Sequence, residues 1–162
     1  MASQAGHGAV LASGANSHVD LANVTIVGGL LSTSDGGVII TAGGADVLDG
    51  STFCGAVSTA GMVLVGNRVP LTLQGNIDNT GTIALQTDGG NYFNFSLLHI
   101  ALAGATLDRS CSIVLEALGN NANEMTGVST TVAATLHKAS TISGVGAIGQ
   151  GLWTRVSSLM TC

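Results

Sequence analysis

The chain has 162 residues, a net charge of −5 at neutral pH and only four Lys and Arg residues. Apolar residues make up 46% of it, aromatic residues 3% and charged residues 8%, and 24 residues are Gly. Disordered chains carry more charge and fewer aliphatic residues, and nucleic-acid-binding proteins cluster their cations. No apolar run approaches the roughly 18–20 residues of a membrane-spanning helix. The composition therefore favours a turn-rich β protein without a nucleic-acid partner or membrane span.

The two ends differ in composition from the middle of the chain. Residues 1–20 are mostly small and polar, and we predict that they form an N-terminal leader or cap. They lack the basic and then apolar pattern of a signal peptide, so an exported parent protein would carry its export signal outside this chain. We assign residues 21–151 to a β-solenoid and residues 152–162 to a C-terminal cap or tail.

A short phrase of apolar residues and Gly repeats between these ends. Residues 53–65 align without a gap to residues 73–85, so that Val57 matches Ile77 and Gly61 matches Gly81. Three further copies are predicted, at Leu107–Cys111–Ile113–Leu115, at Ile142–Gly146–Ile148 and, more loosely, at Leu31–Gly36–Val38.

Each copy contains two short strands of alternating pattern around a tight bend. Such a unit cannot bury its apolar face alone, so neighbouring copies must stack with their strands parallel. We therefore predict an all-β fold, a right-handed parallel β-helix (β-solenoid) with rungs of about 20–30 residues. A narrow interior filled by Val, Ile and Leu explains the scarcity of aromatic residues.

The phrases LTLQGNIDNTGTIAL (71–85) and TISGVGAIGQGLW (141–153) resemble the haemagglutinin-type and β-strand-rich repeats of bacterial surface proteins. Those proteins include autotransporter passengers and filamentous-haemagglutinin-like adhesins. The resemblance covers roughly residues 50–153 and carries no catalytic motif. It departs from the repeat at Cys111, which stands where a corner Gly is expected. It implies a parallel solenoid with a role in surface adhesion.

The repeat alignment also brings two carboxylates together. Asp78 follows Ile77 and Asp108 follows Leu107, so both occupy the same place in consecutive copies. On adjacent rungs they would lie about 5 Å apart, a spacing that suits the carboxylate pair of a retaining glycosidase. The alternative is that both are solvated turn residues, because Asp tolerates corner conformations.

Other residues give weaker signals. Tyr92 and Trp153 are candidate ligand-binding residues, since an exposed ring could stack on a sugar, although both rings could equally belong to the core or a cap. Asp46 and Asp49 are read as turn residues, and no metal site or cofactor is predicted. Cys54 and Cys111 fall at different places in the phrase, so no disulfide between them is expected.

Two functions follow from these observations. The first is a structural or adhesive β-solenoid segment of a bacterial secreted or surface protein, located outside the cell or on its surface. Its candidate partners are a polysaccharide or a host or cell-surface glycan, and end-to-end self-association is a further expectation. The second is a small β-helical carbohydrate-active enzyme, a glycoside hydrolase or polysaccharide lyase, that uses Asp78 and Asp108.

Overall fold

A computed structural model of the protein describes residues 2–5, 8–87, 95–108, 112–116, 123–129, 134–138, 141–149 and 152–155. All of the regular structure in these ranges is β-strand. The strands are β1 Ala2–Ala5, β2 Ala9–Ser13, β3 His18–Ala22, β4 Val24–Val27, β5 Gly29–Ser34, β6 Val38–Gly43, β7 Asp46–Gly50, β8 Val57–Ala60, β9 Met62–Val65, β10 Pro70–Asn79, β11 Thr82–Gln86, β12 Leu97–Asp108, β13 Ser112–Glu116, β14 Asn123–Gly127, β15 Ala134–Lys138, β16 Thr141–Gly144, β17 Gly146–Gly149 and β18 Leu152–Arg155.

The strands stack in three parallel columns, which we call faces. Face one contains β1, β4, β7, the first halves of β10 and β12, β14 and β17. Face two contains β2, β5, β8, the second halves of β10 and β12, β15 and β18. Face three contains β3, β6, β9, β11, β13 and β16. The chain visits the three faces in order and then begins the next coil, so the predicted all-β stack of parallel coils is confirmed.

Apolar side chains fill the interior of the stack. On face one, Leu73 lies between Leu48 of the coil before it and Ile100 of the coil after it, and all three are fully buried. Val63 and Ile83 stack in the same way on face three. Burial of each such side chain contributes about 1.5–3 kcal/mol, so these columns are the main source of stability.

The second half of the predicted repeat phrase gives the correct register. Ile77 pairs with Val57 on one side and with Leu107 on the other, and Ile83 pairs with Val63 and Ile113. The offsets of 20 and 30 residues read from the sequence are therefore those of the coils.

The first half of the phrase was aligned wrongly. Leu73 pairs with Leu48, whereas Phe53, its predicted counterpart, lies fully exposed in a loop of residues 51–56. This loop is an insertion between β7 and β8, and a chance Gly spacing matched it to a strand.

The last and the earliest predicted copies were also out of register. Ile142 pairs with Ile113 on face three, so it corresponds to Ile83 and not to Ile77. In the early copy, Ile39 and not Val38 pairs with Val63. Every face alternates with the same period of two, so the spacing alone could not say which face a strand belongs to.

The predicted end regions contain strands of the stack. Residues 1–20 include β1, β2 and the beginning of β3, which pair with β4, β5 and β6. Within residues 152–162, β18 pairs with β15. The described parts of both end regions therefore continue the columns of the middle region.

Candidate functional site

Polar side chains form two neighbouring rows on the outer surface of face two. The first row is Ser58, Asp78 and Asp108, which are in register on three consecutive coils. The second row is Asn76 and Thr106, also in register. The residues between the rows on these strands, such as Ile77, are fully buried, so strand alternation directs both rows outward.

The predicted pairing of Asp78 with Asp108 is present in the structure. The two residues are direct neighbours on the parallel strands β10 and β12, whose backbones lie about 4.8 Å apart. Asp108 is exposed and Asp78 is partly buried. Two carboxylates on one surface at this spacing can accept several hydroxyl hydrogen bonds or act as an acid and base pair.

A buried hydrogen-bonded corner holds Asp78 in place. The next residue, Asn79, is fully buried; its Oδ1 accepts hydrogen bonds from the Thr59 hydroxyl at 2.6 Å and from the Gly81 amide at 2.9 Å. The first bond joins two coils and the second closes the turn into face three. The corner therefore fixes the end of β10, where Asp78 lies.

A groove lies beside the two rows, where face one meets face two. β12 makes an excursion there, because Leu73 pairs with Ile100 while Gly75 pairs with Ala105. Gly75 and Gly104 adopt φ angles of +68° and +85°, which favour Gly. The groove has a volume of about 390 Å³ and is lined by Gly75, Asn76, Ala103, Gly104, Ala105, Thr106 and Thr135.

The side chains of the two aromatic candidates lie outside the described part of the structure. Tyr92 lies outside the described residues. Trp153 is described only through its backbone, which pairs with Thr135 in β18 and β15. Their roles in ligand binding stay predictions.

The structure assigns Asp46 a position that sequence reasoning missed. It is the first residue of β7, not a turn residue, and its side chain is fully buried. Burial raises the pKa of the Asp46 carboxyl, although the backbone amides of Val24 and Asn23 oppose the shift by hydrogen bonding to it. The signal was present in the sequence, because Asp46 stands two residues before Leu48 in an alternating segment and so shares its inward direction.

His99 is the second ionisable group with a shifted pKa. It lies in the outward row of face one, between Thr72 and Thr126 on the neighbouring strands. Partial burial lowers the pKa of His99, and the negative charge of Glu124 on the next coil opposes this effect. The ring is therefore neutral over a wider pH range than a free His.

Among the described residues, no three His, Cys, Asp or Glu side chains lie close enough together to hold a metal ion. Cys54 is a free thiol, and Cys111 lies outside the described residues. No helix in the described part of the chain is long and apolar enough to cross a bilayer.

Comparison of the chain with protein-family models, with curated proteins and with solved structures finds no match. The rows and groove of face two are therefore the basis for a functional conclusion.

Proposed function

We propose that the chain is a right-handed parallel β-helix that serves as a structural or adhesive segment of a bacterial secreted or surface protein. In this proposal it acts outside the cell and contacts a polysaccharide or a cell-surface glycan through face two. The observation that supports it best is the in-register repetition of polar side chains on the outer surface of face two.

The repetition suits a repetitive ligand. Ser58, Asp78 and Asp108 offer hydroxyl and carboxylate groups at one coil spacing, and Asn76 and Thr106 offer an amide and a hydroxyl beside them. A polysaccharide presents hydroxyl groups at regular intervals. Each hydroxyl group can replace a hydrogen bond to water with one to a side chain of these rows. One such hydrogen bond contributes only about 0.5–1.5 kcal/mol, so binding needs several coils at once.

The handedness in the proposal rests on chain geometry. A connection between parallel strands of one sheet is right-handed in about 98% of cases, because strand twist favours it. Each coil of this chain makes such a connection when it returns to a face. End-to-end association of stacks belongs to the same proposal, since unpaired strand edges readily accept further strands.

A binding assay on a panel of immobilised polysaccharides tests the proposal. We expect the intact protein to bind at least one of them, and Thr106→Val to weaken that binding several-fold by removing a hydroxyl from the groove. Thr25→Val is the matched control, since Thr25 is a partly buried residue on face one, and it should leave binding unchanged. Absence of binding to every polysaccharide would contradict the glycan-contacting role.

The alternative function is a glycoside hydrolase or polysaccharide lyase. The in-register pair of Asp78 and Asp108 favours it, because retaining glycosidases use two carboxylates at a spacing of about 5 Å. Release of reducing sugar from the same polysaccharides is the test, with Asp78→Asn and Asp108→Asn as variants. Sugar release that both variants abolish would establish the enzyme, and no release by the intact protein would reject it.

A further inference from the structure

A carboxyl group occupies a place in the core that belongs to Leu in later coils. Asp46 pairs with Leu71, which in turn pairs with Leu98, and all three side chains are fully buried on face one. The third coil therefore has an ionisable residue at the position where the fourth and fifth coils have Leu.

The two carboxyl oxygens of Asp46 have different surroundings. Oδ1 accepts a hydrogen bond from the amide of Val24 at 3.0 Å, which joins the third coil to the second. Oδ2 is buried and has no hydrogen-bond partner among the described residues. An ionised carboxylate in this position leaves a charged oxygen without compensation, which is costly in an apolar interior.

No cation faces Asp46 from the strands packed against it. β4 and β8 contain no ionisable side chain, and the only one on β10, Asp78, lies on the outer surface of face two. On β7 itself, Asp49 is directed outward and accepts a hydrogen bond from the Ser51 amide at 2.8 Å. Arg68, at the corner between the third and fourth coils, is exposed. Protonation is therefore the available way to remove the buried charge.

We propose that protonation of Asp46 strengthens the junction between the second and third coils, so that this part of the stack resists unfolding better in mild acid than near neutral pH. The proposal concerns a pH-sensitive contact inside the fold and does not depend on glycan binding.

The direction of the effect follows from linkage. The pKa of Asp46 in the folded chain lies above its ordinary value of 3.8. Its contribution to stability is therefore fully present below that ordinary value and is lost as the pH rises through the folded pKa. Most proteins behave in the opposite way, because acid protonates carboxylates that stabilise the fold.

Among the described side chains, few charged groups oppose this effect. The chain carries only four Lys and Arg residues, and the ion pair found among the described residues joins His18 to Asp20 at 3.7 Å with both side chains exposed. Exposed pairs contribute about 0–1 kcal/mol. His99 does oppose it, since its lowered pKa makes protonation unfavourable in the folded state, but His99 is common to every variant compared below.

Urea unfolding at pH 4.5 and pH 7.5 tests the proposal on the full chain. We expect Asp46→Asn to raise the unfolding midpoint at pH 7.5 and to raise it less at pH 4.5, because Asn keeps the acceptor for Val24 without a charge. Asp35→Asn is the matched control for the loss of a carboxyl group, since Asp35 is an exposed turn residue, and Asp46→Asn should show the larger change between the two pH values. A difference between the unaltered chain and Asp46→Asn that is equal at both pH values would overturn the proposal.

A second measurement follows the hydrogen bond itself. Hydrogen exchange of the Val24 amide, corrected for the intrinsic effect of pH on exchange, reports directly on the bond to Asp46. We expect its protection, relative to the Ile83 amide in the fourth coil, to increase more from pH 7.5 to pH 4.5 in the unaltered chain than in Asp46→Asn, which shares His99. A change in relative protection that is the same in both chains would also reject the proposal.

Discussion

Gly50 is a position where the backbones of the third and fourth coils approach each other closely. It ends β7 and pairs with Gly75 of the next coil. A Cβ atom added at residue 50 would lie 2.7 Å from the carbonyl carbon and 3.0 Å from the nitrogen of Asn76, and closer still to its carbonyl oxygen. These atoms belong to the backbone, so no side-chain rotation can relieve the overlap, and Gly50→Ala must push the third and fourth coils apart.

The cost can be estimated from packing. Forcing an extra methyl group into a tight interior costs about 1–3 kcal/mol, and the fixed backbone places Gly50→Ala in the upper part of this range. We expect a loss of at least about 2 kcal/mol, which is roughly a thirty-fold change in the unfolding equilibrium constant. Urea unfolding followed by circular dichroism measures this loss directly.

Gly43→Ala is the matched control for Gly50→Ala. A Cβ at residue 43 would meet no atom within 4 Å, and neither Gly43 nor Gly50 has a positive φ angle. The control should be neutral or should gain about 0.4–1 kcal/mol, because Ala restricts the unfolded chain. Equal stability of the two variants would refute the close approach of the third and fourth coils at Gly50.

Two further predictions concern polar residues. Asn79→Ala should destabilise the fold by about 1–3 kcal/mol, because it leaves the buried Thr59 hydroxyl without its acceptor. Thermal unfolding measures this loss, with Asn76→Ala, at an exposed position, as the control. Equal melting temperatures of the two variants would contradict the prediction. The stability of the unaltered chain relative to His99→Gln should fall as the pH decreases below the ordinary His value of 6.5, because the pKa of His99 is lowered in the folded state. Unfolding midpoints at pH 7.5 and pH 5 measure the difference, and a constant difference would show that the ring is not buried as described.

The sequence allowed the stack to be predicted where insertions are absent. The spacing around Ile77 and Ile83 identified their true neighbours on adjacent coils, because two strands and a two-residue corner leave one register. It failed at Phe53, where an inserted loop carries a similar Gly spacing. Loops and strands in this chain are built from the same few residue types, so the sequence pattern alone could not distinguish a loop from a strand.

The candidate site was likewise predicted from the sequence only in part. The pairing of Asp78 with Asp108 followed directly from the repeat. The adjacent groove did not, because it depends on the three-dimensional course of the excursion ending at Gly104. Asp46 was missed because an acidic residue close behind two Gly residues is typical of a turn, and this reading took precedence over its alternation with Leu48.

The corner between faces one and two varies in length without changing the columns. Gly28 alone joins β4 to β5, residues 51–56 join β7 to β8, and β10 passes the corner without a break. Even so, Gly29, Val57 and Ile77 remain in register. This corner is therefore an attachment point where foreign peptides of different lengths can be grafted, with the loop around Phe53 as the natural first choice and the coils below it as a rigid support.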